Sequence, residues 1–142
     1  MDFDLSEEQN MLQDTVRRFF ETEAPTTRLL EIYDGDELLD RDLWNRSAEL
    51  GLAGLLVEEQ YGGVGLELLD LAVVADAMGY TAAPGPLLGH ALTTLALTLG
   101  GSEEQKTQWL PKLASGELIG SVAFAEQGDA WQPDQWTLTV SE

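Results

Sequence analysis

Apolar residues recur at helical spacing along most of the chain, and the breaks between the runs carry the residue types that end helices. Leu12, Val16, Phe19 and Phe20 fall at i, i+4, i+7 and i+8, one face of a helix. It should start at Ser6-Glu7-Glu8-Gln9, a capping box in which the Ser6 hydroxyl accepts from the third helical N–H while Gln9 reaches back to the Ser6 N–H. Pro25 disfavours helical geometry in its predecessor and should end the run. Residues 25–40 predict a short or irregular helix followed by an acidic turn at Asp34-Gly35-Asp36. Asp40 is placed to cap a helix bearing Leu43, Trp44, Ala48 and Leu50, which Gly51 can end in a left-handed conformation. The apolar connection 52–57 then leads into Tyr61-Gly62-Gly63-Val64-Gly65, a tight loop that requires positive φ at one or more glycines. No Lys-Ser/Thr follows this loop, so it does not read as a phosphate cradle.

A third strong helix is predicted over Glu67 to Met78, with Leu68, Leu71, Ala72, Ala75 and Met78 on one face and Gly79 at its end. The break Thr81-Ala82-Ala83-Pro84-Gly85-Pro86 precedes a helix over about Leu87 to Leu99. That helix is apolar nearly all round and is expected in the middle of a bundle. Gly100-Gly101 ends it, and Ser102-Glu103-Glu104-Gln105 is a second capping box, opening a helix with Trp109, Leu110 and Leu113 on its core face, closed by Gly116. The period then changes to 2. Leu118 to Ala125 is a short apolar run, and Trp136, Leu138 and Val140 alternate with Thr137 and Thr139, so both segments read as strands. The expected architecture is mainly α, with a helical domain over residues 1–116 and the first strands of an incomplete β domain over 117–142. Two strands alone are marginal in water, so further strands are expected from a longer chain or a partner.

Composition narrows the chemistry. With 142 residues and 44% hydrophobic content the chain can bury a core despite 26 acidic against 7 basic side chains and a net charge of −19. A surface this negative repels nucleic-acid phosphates and anionic lipid, so neither a nucleic acid nor a membrane is expected as a partner. The absence of cysteine excludes disulfides, thiolate zinc sites and a cysteine nucleophile, and a single histidine excludes a histidine-rich metal site. The paired acids Glu7-Glu8, Glu58-Glu59 and Glu103-Glu104 read as solvated helix caps, because adjacent helical residues do not face each other. No calcium-loop pattern occurs, and no metal site is expected. Met1-Asp2-Phe3-Asp4 is acidic where a secretory or mitochondrial leader is basic, and the apolar stretch from Ala82 to Gly100 is too broken to span a bilayer. The expected location is cytoplasmic.

The order of these features resembles the N-terminal part of the acyl-CoA dehydrogenase family. The resemblance rests on Phe3-Asp4-Leu5-Ser6-Glu7-Glu8-Gln9, on Leu43-Trp44 with Ala48-Glu49-Leu50-Gly51-Leu52, and on Glu59-Gln60-Tyr61-Gly62-Gly63-Val64-Gly65-Leu66. It continues through Gly101-Ser102-Glu103-Glu104-Gln105-Lys106, Trp109-Leu110-Pro111-Lys112-Leu113-Ala114-Ser115-Gly116-Glu117 and Ala123-Phe124-Ala125-Glu126. Each piece is weak alone; in order, over roughly residues 2–127, they are specific. The resemblance implies a helical N-terminal domain, a β-barrel-like middle domain and a C-terminal helical bundle, in a homo- or hetero-oligomer. It implies α,β-dehydrogenation of an acyl-CoA thioester: a glutamate takes the α-proton, the β-hydrogen passes as hydride to FAD, and the electrons leave through an electron-transfer flavoprotein. A dry pocket raises such a carboxyl's pKa, which suits it to act as base. In the family that glutamate lies in the C-terminal domain, so no catalytic residue is expected in this chain. The alternative is a non-catalytic helical subunit that completes a heteromeric dehydrogenase.

By the same resemblance Phe124, Ala125 and Glu126 fall on the family's strand that passes the flavin. Backbone groups make contacts there, although a plain buried strand explains the run equally well. The family commonly has Thr-Glu-Pro and a Gly-Ser-Asp turn here; this chain has Ala125-Glu126-Gln127-Gly128-Asp129 instead, and so lacks the threonine hydroxyl. Leu87, Leu88 and His90 correspond to the helix that closes the acyl-chain end of the substrate pocket. Core packing accounts for the leucines too, and His90 also reads as a half-buried histidine with one hydrogen bond. Pro84-Gly85-Pro86 should redirect the start of that helix and could widen the pocket, a feature that resembles the family's heteromeric branch acting on bulky CoA thioesters.

Overall fold

The computed structural model describes residues 4–36, 39–123, 132 and 136–137. Six helices follow one another: α1 (Glu7–Glu23), α2 (Thr26–Asp34), α3 (Arg41–Glu49), α4 (Leu68–Tyr80), α5 (Leu87–Gly100) and α6 (Glu103–Ala114), with a 3-10 turn at Glu59–Tyr61. Both capping boxes form. The Ser6 hydroxyl accepts from Gln9 N–H at 3.2 Å while Ser6 N–H donates to Gln9 Oε1 at 3.1 Å, and Ser102 with Gln105 repeats the pattern at 3.2 and 2.9 Å. Asp40 caps α3 by accepting from Leu43 N–H at 2.9 Å, and its other oxygen accepts from Arg28 Nε at 2.8 Å. Burial opposes ionisation of this carboxyl, but those two donors outweigh it and hold its pKa below the usual value.

The core lies where α1, α3, α4 and the start of α5 meet. Val16, Phe20, Leu43, Trp44, Leu55, Val74 and Leu87 are buried in one cluster. Each such apolar side chain contributes about 1.5–3 kcal/mol. A smaller cluster of Val57, Leu110 and Ala114 seats α6 on the glycine loop. α1 runs along α4, tied by Gln9 Nε2 to Asp70 at 3.1 Å, by Arg17 to Asp76 at 3.0 Å, and by the Arg17 guanidinium 4.7 Å above the Tyr80 ring.

The glycine loop is a tight backbone knot. Val64 N–H donates to Gly54 O, Gly65 N–H to Val57 O and Leu66 N–H to Leu55 O, all within 2.9 Å. Gly62 and Gly65 take φ of +84° and +73°. At Gly63 a Cβ would stand 2.0 Å from Val57 O, so the return strand of the knot can approach only as glycine.

Four details differ from the sequence expectation. Gly79 does not end α4, which continues to Tyr80, and the helix buries Val73, Val74 and Ala77 while Leu68 and Ala72 stay exposed. With apolar residues on every side, α4 gives no clear phase to read. α5 is not enclosed: Leu88, Leu92, Ala96 and Leu99 form an exposed stripe, and only the opposite side is buried. Trp109 is 39% exposed rather than part of the core, with Lys112 Nζ 5.9 Å from its ring. After α6, described residues 118–123 form no strand; the rest of the first anticipated strand and most of the second lie outside the described residues.

Candidate functional site: an uncharged groove beside α5

The Pro84-Gly85-Pro86 break turns the chain from α4 into α5, with φ of +52° at Ala82 and +147° at Gly85. Against this corner runs the segment that leaves α6, and between them lies a groove of about 600 Å³. Its walls are Ala75, Met78 and Gly79 from α4, Ala82, Ala83, Gly85 and Pro86 from the corner, Leu88 and Gly89 from α5, and Ile119, Gly120 and Ser121 from the exit segment. No lining side chain is charged or titratable near neutral pH. A second space of about 30 Å³, room for roughly one water, sits deeper, lined by Phe20, Trp44, Leu52 and Leu87 among others. The two share Met78, Gly85 and Pro86.

The residues anticipated for the pocket divide between these places. Leu88 is 57% exposed and lines the groove, whereas Leu87 is buried and lines the inner space. His90 is fully buried and lines neither. It makes two hydrogen bonds rather than one: Nε2 lies 3.0 Å from Ala53 O, and Gly120 N–H donates to Nδ1 at 3.2 Å. Because a carbonyl only accepts, the proton sits on Nε2 and the ring is neutral. Burial lowers the His90 pKa, outweighing the carbonyls of Ala53 and Leu113 that favour the charged form. Phe124, Ala125 and Glu126, anticipated at the flavin, lie outside the described residues.

Chemically, the groove can take an apolar chain and exclude water, but it offers no acid or base. It also offers no anion cradle. All seven Lys and Arg residues are described, and none lines the groove. Arg17, Arg18, Arg28, Arg46 and Lys106 are already paired with carboxylates. The groove therefore does not fit the pyrophosphate of a dinucleotide cofactor. Among them no group of three or more His, Asp or Glu side chains could hold a metal, and no helix is long and apolar enough to cross a membrane.

Sequence reasoning missed residues 119–121 as part of a wall. One available signal was the charge pattern: no Asp, Glu, Lys or Arg occurs between Asp76 and Glu103, in a chain where 23% of residues are charged. The corner, α5 and the groove walls up to Gly89 fall in or beside that interval, and residues 119–121 fall in a second uncharged stretch between Glu117 and Glu126.

Comparison with known proteins gives the same picture at the level of the whole chain. The family described as acyl-CoA dehydrogenase, N-terminal domain, matches residues 6–117. The acyl-CoA dehydrogenase IpdE2 of Mycolicibacterium smegmatis is 36% identical over 121 residues, which cover 84% of this chain and 38% of that relative. The structure of the ChsE4–ChsE5 complex from Mycobacterium tuberculosis superposes with a TM-score of 0.82 at 28% identity, covering 92% of this chain and 36% of that one. An acyl-CoA dehydrogenase complexed with FAD from Bacillus anthracis matches at 34% identity with a TM-score of 0.70, covering 88% of this chain and 22% of that one. The chain thus spans between about a fifth and two-fifths of the length of these proteins.

Proposed function

The chain belongs to the acyl-CoA dehydrogenase family, as its N-terminal domain, and on that premise we propose that it is the front portion of an FAD-dependent enzyme that converts an acyl-CoA thioester to the 2-enoyl-CoA. Residues 1–116 are the helical domain and 117–142 the start of the middle β domain. Its contribution is the wall of the acyl-chain pocket. The observation that carries this reading is the groove beside α5, about 600 Å³ with no charged lining residue, in a chain of net charge −19. Burying an apolar tail there stabilises binding by about 0.8 kcal/mol per methylene. Leu88, Pro86 and Ile119 supply that surface. The proton-abstracting glutamate and the cations that hold the CoA phosphates belong to other parts of the assembly, because no lining residue of the groove is charged, while Phe124, Ala125 and Glu126 of this chain contribute backbone contacts to the flavin. Electrons pass on to an electron-transfer flavoprotein.

A second reading keeps the same groove but gives the chain no chemistry of its own: it is a helical subunit that completes a partner's pocket. The similarity to a structure described as a complex of two components supports it.

A Leu88→Asp exchange in the flavoprotein that contains this chain tests the groove. An unpaired carboxylate in an apolar pocket is expected to raise KM for octanoyl-CoA by about tenfold or more. An unchanged KM would remove the groove from substrate binding.

A further inference from the structure

His90 sits behind the groove rather than in it, yet it reaches the groove wall. Gly120 N–H donates to its Nδ1 at 3.2 Å, and among the described residues no other hydrogen bond reaches residues 119–121. The segment lies hard against α5: a Cβ at Gly120 would stand 2.5 Å from Thr93 Cγ2, and a Cβ at Gly89 would meet Gly120 O at 4.0 Å. Thr93 is itself fixed by its hydroxyl donating to Gly89 O at 3.1 Å. The wall is therefore built by close approach at Gly120 and secured, among the described residues, by one hydrogen bond.

We propose that His90 is a positioning residue, which holds Gly120 and with it the 119–121 wall of the groove against α5. The ring can do this because its other end is anchored. Nε2–H donates to Ala53 O, at the apolar turn after α3, and the Trp44 ring stands edge-on at 5.0 Å. Burial, and against it the backbone carbonyls of Ala53 and Leu113, act on its charge, with no carboxylate or ammonium contributing. His90 thus presents a lone pair, at a fixed place, to the Gly120 amide of the groove wall. The assignment deepens the proposed function, since it rests on that reading for what the wall contacts, but the hold on Gly120 can be measured without it.

Two substitutions separate the two ends of the ring. In His90→Asn the amide oxygen takes the place of Nδ1 and still accepts from Gly120, while the bond to Ala53 is lost. In His90→Gln the amide nitrogen takes the place of Nε2 and still donates to Ala53, while the bond to Gly120 is lost. Amide exchange of the full chain by NMR should show Gly120 exchanging about tenfold faster in His90→Gln and near the wild-type rate in His90→Asn, relative to Leu110 in the core. Equal acceleration in both variants, or none in His90→Gln, overturns the assignment. Should either variant fail to fold, the wild-type chain decides: the His90 ring nitrogens must show an acceptor Nδ1 and a protonated Nε2, and the opposite tautomer overturns it. Octanoyl-CoA added to the flavoprotein that contains this chain serves as a separate arm. Absence of any shift at Gly89 and Ser121 counts against the acyl-groove reading alone.

Discussion

The indole of Trp44 stands edge-on to the imidazole of His90, with ring centroids 5.0 Å apart and planes at 67°. Each ring makes one hydrogen bond to the segment that leaves α6: Trp44 Nε1 donates to Gly116 O at 2.9 Å, and His90 Nδ1 accepts from Gly120 N–H. Gly116 has φ of +76°, and a Cβ there would lie 2.5 Å from Ala48 Cβ. One aromatic pair from α3 and α5 therefore fixes both the end of the helical bundle and the start of the groove wall.

Trp44→Phe keeps most of the apolar contact but removes the N–H, leaving the Gly116 carbonyl buried and unpaired. A loss of about 1–3 kcal/mol is expected. Urea unfolding followed by circular dichroism reads it directly, and a midpoint equal to that of the wild type would show that water replaces the indole at no cost.

Acidification should weaken the fold through His90. Its pKa in the folded state is lowered from 6.5 by burial, so the unfolded chain binds the proton first. The stabilisation is complete above about pH 6.5, declines as pH falls below that value, and is fully lost once pH passes the lowered folded pKa. Glu103, held low by the Tyr61 hydroxyl and then by Lys106, acts only below its ordinary value of 4.5, in a separate window. Unfolding free energies between pH 8 and pH 5 should fall for the wild type and stay flat for His90→Asn; parallel curves would exclude His90 as the source.

The glycine loop allows a paired test of sterics against backbone strain. Gly62 has φ of +84° and nothing within 4 Å of a Cβ, so Gly62→Ala should cost about 1–2 kcal/mol for the left-handed conformation alone. Gly63→Ala places a methyl 2.0 Å from Val57 O and must open the knot, so its thermal midpoint should fall well below that of Gly62→Ala. The reverse order would mean that the knot is looser than its hydrogen bonds indicate.

The helices were legible in the sequence where two signals agreed. Ser6 with Gln9 and Ser102 with Gln105 fix two helix starts to the residue, and Asp40 fixes a third, because caps are local chemistry. The phase of α4 was not legible, since Leu68, Leu69, Val73 and Val74 leave no polar side to orient by. The enclosure of α5 failed for a related reason: apolar all round predicts burial, but Leu88, Leu92 and Leu99 instead form an open face beside the groove. The place of His90 followed from neither pattern. Its partners are the backbone of Ala53, 37 residues away, and of Gly120, 30 residues away, and sequence periodicity carries no information about such contacts.

Photolabelling locates the acyl chain most directly. An acyl-CoA bearing a diazirine at the far end of its chain, irradiated on the flavoprotein that contains this chain, should label Leu88, Gly89 or Ile119, and excess unlabelled octanoyl-CoA should suppress the labelling. Labelling confined to other parts of that flavoprotein, with these peptides unmodified, would contradict the groove as the acyl-chain wall.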